Sequence, residues 1–152
     1  MKKIQANDVY GSIQEWVVPA EKVANVQIGN PLDHALLVLI KTGYSAIPVL
    51  DSSSCLKGLI SKTMILDFAL GLERIEFDKL TNHQVEEVMR KDVPTVRENE
   101  AFLRALKLSI DSPFLCVIND SGYFQGILPR SAVLKFVNHY LREMQKELAE
   151  HK

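Results

Sequence analysis

The chain repeats itself. Val18-Pro19 falls on Val88-Met89, Val23 and Val26 fall on Val93 and Val96, and His34-Ala35-Leu36 falls on Arg104-Ala105-Leu106, all at an offset of 70 residues. Further on, Ile47-Pro48-Val49 falls on Leu115-Cys116-Val117, and Gly58-Leu59-Ile60 on Gly126-Ile127-Leu128, at an offset of 68. One deletion of two residues between a helix and a strand reconciles the two offsets. The repeat therefore implies an α/β (α+β) fold with the order β-α-β-β-α twice over. Its first copy, with an N-terminal helix and a linker, spans 1–80, and its second, with a long C-terminal helix, spans 81–152. Each copy alone is too small to hold a large core. The expected arrangement is two halves packed sheet to sheet about a pseudo-two-fold, with clefts that suit a ligand.

Local signals place the elements. Residues 4–15 carry a weak helical pattern (Ile4, Val9, Ile13) that Trp16-Val17-Val18-Pro19 ends, with Trp16 as a packing anchor for that helix. Lys22 to Ile28 reads as a strand or extended segment. Asn30 reads as an N-cap and Pro31 as the first helical residue of a helix that runs from Leu32 to about Lys41 and stops at Gly43. Its apolar positions follow the i, i+3, i+4 rule. Tyr44 to Leu50 and Leu56 to Ser61 read as a hairpin around Asp51-Ser52-Ser53-Ser54. Ser61 is placed to cap a helix over Lys62–Leu70, and Glu73 to Asn82 reads as a charged connector. In the second copy, Val93–Val96 is extended and a helix begins at Glu98 or Asn99. Strands at Phe114–Ile118 and Tyr123–Leu128 flank a turn, and a last helix spans about Arg130 to Glu150. The apolar stripe of that last helix (Val133, Phe136, Val137, Tyr140, Leu141, Met144, Leu148) is longer than the second copy alone needs.

Composition narrows the function classes. A net charge of −1 lacks the basic excess of a protein that binds a nucleic-acid polymer. The longest apolar run, Ala35 to Ile40, is too short to span a bilayer, and the first residues lack the apolar core of a signal peptide, so a cytoplasmic protein without a membrane partner is expected. Cys116 lies in an apolar run and reads as a buried reduced thiol; Cys55 lies in a Ser-rich turn. The histidines (His34, His83, His139, His151) have no metal-ligand spacing, and there is no P-loop, nucleophile elbow or GxGxxG. Glu86 and Glu87 are adjacent, so on a helix they diverge and do not form a catalytic pair. A binding protein rather than an enzyme is expected.

The pattern Val-Met, extended Val-x-Thr-Val, a helix with Ala-Leu, strand, turn, Gly-Ile-Leu and helix resembles the CBS domain. It is clearest over Val88–Leu134 and good over Val18–Leu66, where Gly43-Tyr44-Ser45-Ala46-Ile47-Pro48-Val49 matches the family's glycine strand. Two copies cover almost the whole chain, which resembles a stand-alone CBS pair, or Bateman module. Such pairs typically form homodimers and bind adenosine-containing ligands. A narrower resemblance lies in Lys22 to Asn30, His34 to Leu39, Lys41 to Asp51 and Gly71 to Phe77. These look like the stand-alone CBS proteins of Firmicutes that bind cyclic di-AMP. The resemblance implies that the free form engages a metabolic or stringent-response enzyme and that the ligand releases it. It implies no cofactor. Many nucleotide-binding copies carry an Asp after the glycine strand that bonds ribose hydroxyls. Here Ser61-Lys62-Thr63-Met64 and Pro129-Arg130-Ser131-Ala132 carry none, which suits a cyclic dinucleotide with esterified 3′ oxygens better than AMP, ADP or ATP.

A cyclic dinucleotide needs cations or amide donors for two phosphates and apolar, backbone-lined slots for two adenines. Arg130 stands where a helix begins, so its charge and the first-turn N–H groups converge, and Ser131 adds a hydroxyl. Taken alone, Arg130 reads as a solvated cation; with the repeat it reads as a ligand residue facing Lys22, Ala24 and Tyr44 to Ala46. Lys22 could add a second cation, and Lys62, which reads as a surface residue, stands in the first copy at the helix start equivalent to that of Arg130. Tyr44, Ser45 and Ala46 offer backbone donors and acceptors to an adenine edge, with Ala24 and Val26 lining its face. Tyr44 reads equally as a core aromatic. The alternatives to a cyclic di-AMP sensor are an AMP, ADP or ATP sensor and a ligand-free scaffold.

Overall fold

Two helices set 70 residues apart bury the same positions. In a computed structural model that describes residues 11–151, Leu32, Ala35 and Leu39 are the buried residues of α1 (Leu32–Thr42), and Phe102, Ala105 and Ser109 are those of α5 (Phe102–Ser109). The i, i+3, i+7 spacing puts each trio on one face, which is what a helix lying on a sheet requires. Beyond the helices the correspondence moves to 68. Ile47, Pro48 and Val49 are buried in β3 (Ala46–Leu50), as are Leu115, Cys116 and Val117 in β6 (Phe114–Ile118). The residues with no counterpart are Lys41 and Thr42, so the deletion shortens the end of α5. Burial pushes the Cys116 thiol up to about 12, which keeps it an inert apolar group.

The remaining elements are β1 (Val18–Pro19), β2 (Val26–Gln27), β4 (Leu56–Ser61), α2 (Lys62–Ala69), α3 (Asp78–Asn82), α4 (Val85–Val88), β5 (Thr95–Val96), β7 (Phe124–Pro129) and α6 (Arg130–Glu150). They form two units. The first-repeat unit holds Glu21–Val93 and Asp120–Phe124; the second-repeat unit holds the described residues up to Ala20, Pro94–Asn119 and the chain from Gln125 onward. The first has a three-stranded sheet in the order β2-β3-β4, with β2 parallel and β4 antiparallel to β3. Its core gathers Leu32, Ile47, Ile60, Ile65 and Leu80. The second has a four-stranded sheet, β1-β7-β6-β5, with β5 parallel to β6 and a core around Phe102, Leu115, Leu128 and Phe136.

Each sheet is completed by the leading segment of the other repeat. In the second-repeat unit, Val18 pairs with Ile127 and Pro19 with Gly126. In the first-repeat unit, Arg90 and Leu59 exchange two backbone hydrogen bonds of 2.9 Å. This explains the repeated glycine. A Cβ on Gly58 would stand 2.5 Å from the Arg90 carbonyl oxygen, and one on Gly126 would overlap the carbonyl oxygen of Val18. Only hydrogen leaves room for the incoming strand.

Several local expectations need correction. The helix expected over 4–15 lies mostly outside the described residues. Within them, Gln14–Trp16 is a 3-10 turn, and Val18-Pro19 is a strand rather than a helix end. Trp16 packs edge-on against Phe136 of α6, with ring centroids 5.2 Å apart. The strand expected over Lys22–Ile28 is only Val26–Gln27, because Ala20–Lys22 closes into a 3-10 turn. Asn30 does not cap α1. Its Oδ1 accepts from the Gln27 N–H at 2.8 Å, which leaves Pro31 as the N-cap residue. The strand after Gly43 begins at Ala46, and the helix expected at Glu98 or Asn99 begins at Phe102. The connector is part helix: α3 buries Leu80 in the first core.

Candidate functional site

The first-repeat unit holds Lys22, Ala24, Val26, Tyr44, Ser45 and Ala46, and the last of these stands at one end of its sheet. β3 starts there at Ala46, β4 ends there opposite it at Ser61, and α2 begins at once with Lys62. The parallel register Val26↔Val49 brings the chain before β2 along the same end. Ser45 and Ala46 thereby stand beside Lys62, while Ala24 packs against the core cluster and Lys22 lies in the 3-10 turn before β2. The loop between α1 and β3 is set by two contacts. Gly43 takes a left-handed conformation (φ 78°) and returns its N–H to the Leu39 carbonyl at 3.0 Å. The Lys62 N–H donates to the Ser45 carbonyl at 3.1 Å. Lys22, Tyr44 and Ser45 are exposed, while Ala24, Ala46 and Lys62 are half-buried.

Val26 departs from its expected role. It is 2 % exposed and belongs to the core, because period-two alternation turns its side chain away from water. Only its main chain remains for a ligand.

The second-repeat unit holds Arg130 and Ser131 at the start of α6. The Arg130 N–H donates to the Pro113 carbonyl at 2.9 Å, which repeats the Lys62–Ser45 bond at an offset of 68. The side chains differ, however. The Arg130 Nε donates to the Ser109 carbonyl at 2.8 Å, and its Nη2 to the Ile110 carbonyl at 3.4 Å. These carbonyls close the shortened α5, where a helix end carries partial negative charge. A guanidinium has five N–H donors, so two carbonyls fix its plane without exhausting it. Sequence reasoning missed these carbonyls. The two-residue deletion, which ends α5 early, was the available signal.

The helix starts also differ. At α2, the Ser61 Oγ accepts from the Met64 N–H at 3.1 Å, as expected. At α6, Pro129 holds the N-cap position and supplies no side-chain cap, so with the Arg130 N–H given to Pro113 the Ser131 and Ala132 N–H groups are the ones left for an outside acceptor. Ser131 is exposed in that turn. Ser109, 3 % exposed, stands where the first repeat has Leu39, and its Oγ has no hydrogen-bond partner among the described residues. No group of three or more His, Cys, Asp or Glu able to hold a metal occurs among the described residues. No helix among them is long and apolar enough to cross a membrane. Within the second-repeat unit, the start of α6 offers a hydroxyl and one positioned guanidinium, which is chemistry for binding an anion.

The model of the CBS domain matches residues 15–71 and 85–139. Over 135 residues the chain is 48 % identical to the Cyclic di-AMP receptor B of Bacillus subtilis (strain 168), covering 89 % of this chain and 92 % of that protein. A CBS domain-containing protein of Bacillus anthracis str. Ames Ancestor superposes with a TM-score of 0.82 at 53 % identity, covering 87 % of this chain and 97 % of that one. The Listeria monocytogenes CbpB protein in complex with c-di-AMP superposes with a TM-score of 0.80 at 49 % identity, covering 86 % and 97 %.

Proposed function

Since this chain belongs to the CBS domain family, we propose that it is a cyclic di-AMP receptor whose occupancy regulates a partner enzyme, and that it acts by binding rather than catalysis. The observation that carries the reading is its 48 % identity to a protein named for that ligand, along nearly the full length of both. The chemistry of the chain supports it. Lys22, Ala24, Tyr44, Ser45, Ala46, Arg130 and Ser131 form the binding set, with Val26 contributing main chain alone. Arg130, held on the α5 carbonyls, presents its remaining donors to a phosphate beside the Ser131 and Ala132 N–H groups of α6. Tyr44 to Ala46 present main-chain groups to an adenine edge. Met64 and Ala132 stand where a ribose-binding acid would, so free ribose hydroxyls find no carboxylate there.

Regulation follows by population shift: the ligand favours the conformation whose partner-binding face differs. A tenfold change in affinity for the partner corresponds to about 1.4 kcal/mol of coupling. The partner is a metabolic or stringent-response enzyme, the protein works in the cytoplasm, and it is a homodimer. Calorimetry with cyclic di-AMP, AMP, ADP and ATP tests the reading. Cyclic di-AMP binds tightest, and tighter AMP binding overturns it. Arg130→Met weakens cyclic di-AMP binding by about tenfold or more, and Arg130→Lys recovers part of the loss. Unchanged affinity in Arg130→Met removes Arg130 from the site.

A further inference from the structure

Buried polar residues are rare in this chain, and they sit together. Among the described residues only Ser109 and Ser112 qualify, at 3 and 8 % exposure. Both lie on the segment that the start of α6 rests on. The Arg130 Nε donates to the Ser109 carbonyl at 2.8 Å, and the Arg130 N–H to the Pro113 carbonyl at 2.9 Å. Ser109 therefore adjoins the helix start that carries the guanidinium and the Ser131 and Ala132 N–H groups. It also shares the buried face of α5 with Phe102 and Ala105, and α5 packs against α6.

Nothing local explains a polar residue there. At the same place in the first repeat, Leu39 is wholly buried in an apolar core. The end of α1 is closed from within, because the Gly43 N–H donates to the Leu39 carbonyl at 3.0 Å and the Thr42 hydroxyl to the Val38 carbonyl at 2.7 Å. α5 ends two residues sooner and gives its last carbonyls to Arg130 instead. The Ser109 Oγ is left with no hydrogen-bond partner among the described residues. A buried hydroxyl without a partner destabilises a fold, and an apolar residue avoids that penalty. The unmet group stands beside the one helix start that is open to an acceptor from outside. We propose that Ser109 is a positioning residue of that anion site, and that its hydroxyl completes its hydrogen bonding only when the site is filled, through a water shared with Arg130 and the anion. Such a water has the three polar partners that a buried water takes. The inference rests on the proposed function in one respect, that cyclic di-AMP supplies the anion.

Urea titration and calorimetry on the full chain test it, with Ser109→Ala and Ser109→Thr. Ser109→Ala removes the unmet hydroxyl, so the free protein unfolds at a higher urea concentration than the parent. The same variant binds cyclic di-AMP about tenfold more weakly. A residue with a purely structural role does not move stability and affinity in opposite directions. Ser109→Thr keeps the hydroxyl, is smaller than the leucine of the first repeat, and recovers most of the affinity. In an Arg130→Met background, Ser109→Ala weakens binding by much less than tenfold, because both residues act on one anion. Ser109→Ala with the affinity of the parent overturns the proposal whatever its stability. A lowered urea midpoint also overturns it, since the hydroxyl then has a partner in the free chain. Ligand identity is read on the parent alone. A parent that binds AMP in place of cyclic di-AMP overturns the ligand, and the Ser109 comparison is then made with AMP; a parent that binds neither overturns both readings.

Discussion

Gly126→Ala tests the account of how the second sheet closes. The residue sits at φ +151°, where side chains are rarely tolerated, and the new Cβ would overlap the Val18 carbonyl oxygen and lie 3.0 Å from Val17 Cγ1. β1 must then leave β7. The backbone conformation costs about 1–2 kcal/mol. The lost pairing of Val18 with Ile127 and Pro19 with Gly126 costs about 1 kcal/mol per hydrogen bond. Freeing Trp16 from Phe136 adds about 1 kcal/mol. The sum is about 3–5 kcal/mol, which lowers Tm by about 10 °C in a chain of this size. Three other glycines calibrate it. Gly58→Ala meets the Arg90 carbonyl at 2.5 Å and Met89 Sδ at 2.9 Å without a positive φ, and costs about 2 kcal/mol. Gly122→Ala has open space but φ +87°, and costs about 1 kcal/mol. Gly29→Ala has open space and no strain, and is neutral or slightly stabilising. Urea titration followed by fluorescence suits the purpose, because Trp16 is the single tryptophan and sits on the incoming segment. Red-shifted Trp16 emission in native Gly126→Ala is expected. A midpoint for Gly126→Ala equal to that of Gly29→Ala, with unshifted emission, refutes the strand-crossing argument.

Ser61→Ala removes the cap of α2 and lowers stability by about 1 kcal/mol in the same titration, whereas Asn30→Ala, at a residue that caps no helix, leaves α1 uncapped as before and acts only on the 27–30 turn. Cys116 stays unmodified by a thiol reagent at pH 8 until the chain unfolds, because burial holds its ionisation near 12; modification in the native state at the rate of an unfolded thiol contradicts its placement. Asp51, held by the Cys55 and Ser53 N–H groups, and Glu87, held by the Gln84 N–H, lie below their ordinary values of 3.8 and 4.5. Lowered carboxylates stabilise the fold above those values and lose their contribution as pH falls through the folded ones. Stability measured by urea titration therefore declines below about pH 4.5, and Asp51→Asn flattens part of that decline.

Much of the fold was legible in the residues because burial is periodic. The trios at Leu32 and Phe102 and the runs at Ile47 and Leu115 stand out by apolar spacing alone, and their offsets locate the deletion. The edges of elements were less legible. Asn30 has the chemistry of a cap, but a competing acceptor role in the 27–30 turn takes its side chain. For the candidate site, the residues near Ala46 and at the start of α6 were singled out by type and repeat position, while the burial of Val26 was not. Its apolar neighbours in sequence do not reveal which of two sheet faces is dry.

By itself, then, the sequence determined the doubled β-α-β-β-α order, the faces of α1 and α5, and the glycine at the same place in both copies. These are local or periodic properties that a short window of residues already contains. Tertiary structure alone decided which segment completes which sheet. Val18-Pro19 belongs to the head of the first repeat but pairs with β7, and Arg90 belongs to the head of the second but pairs with Leu59. The gap left by Gly58 or Gly126 accepts any extended strand. Which strand enters depends on long-range closure of the chain, and that leaves no periodic trace.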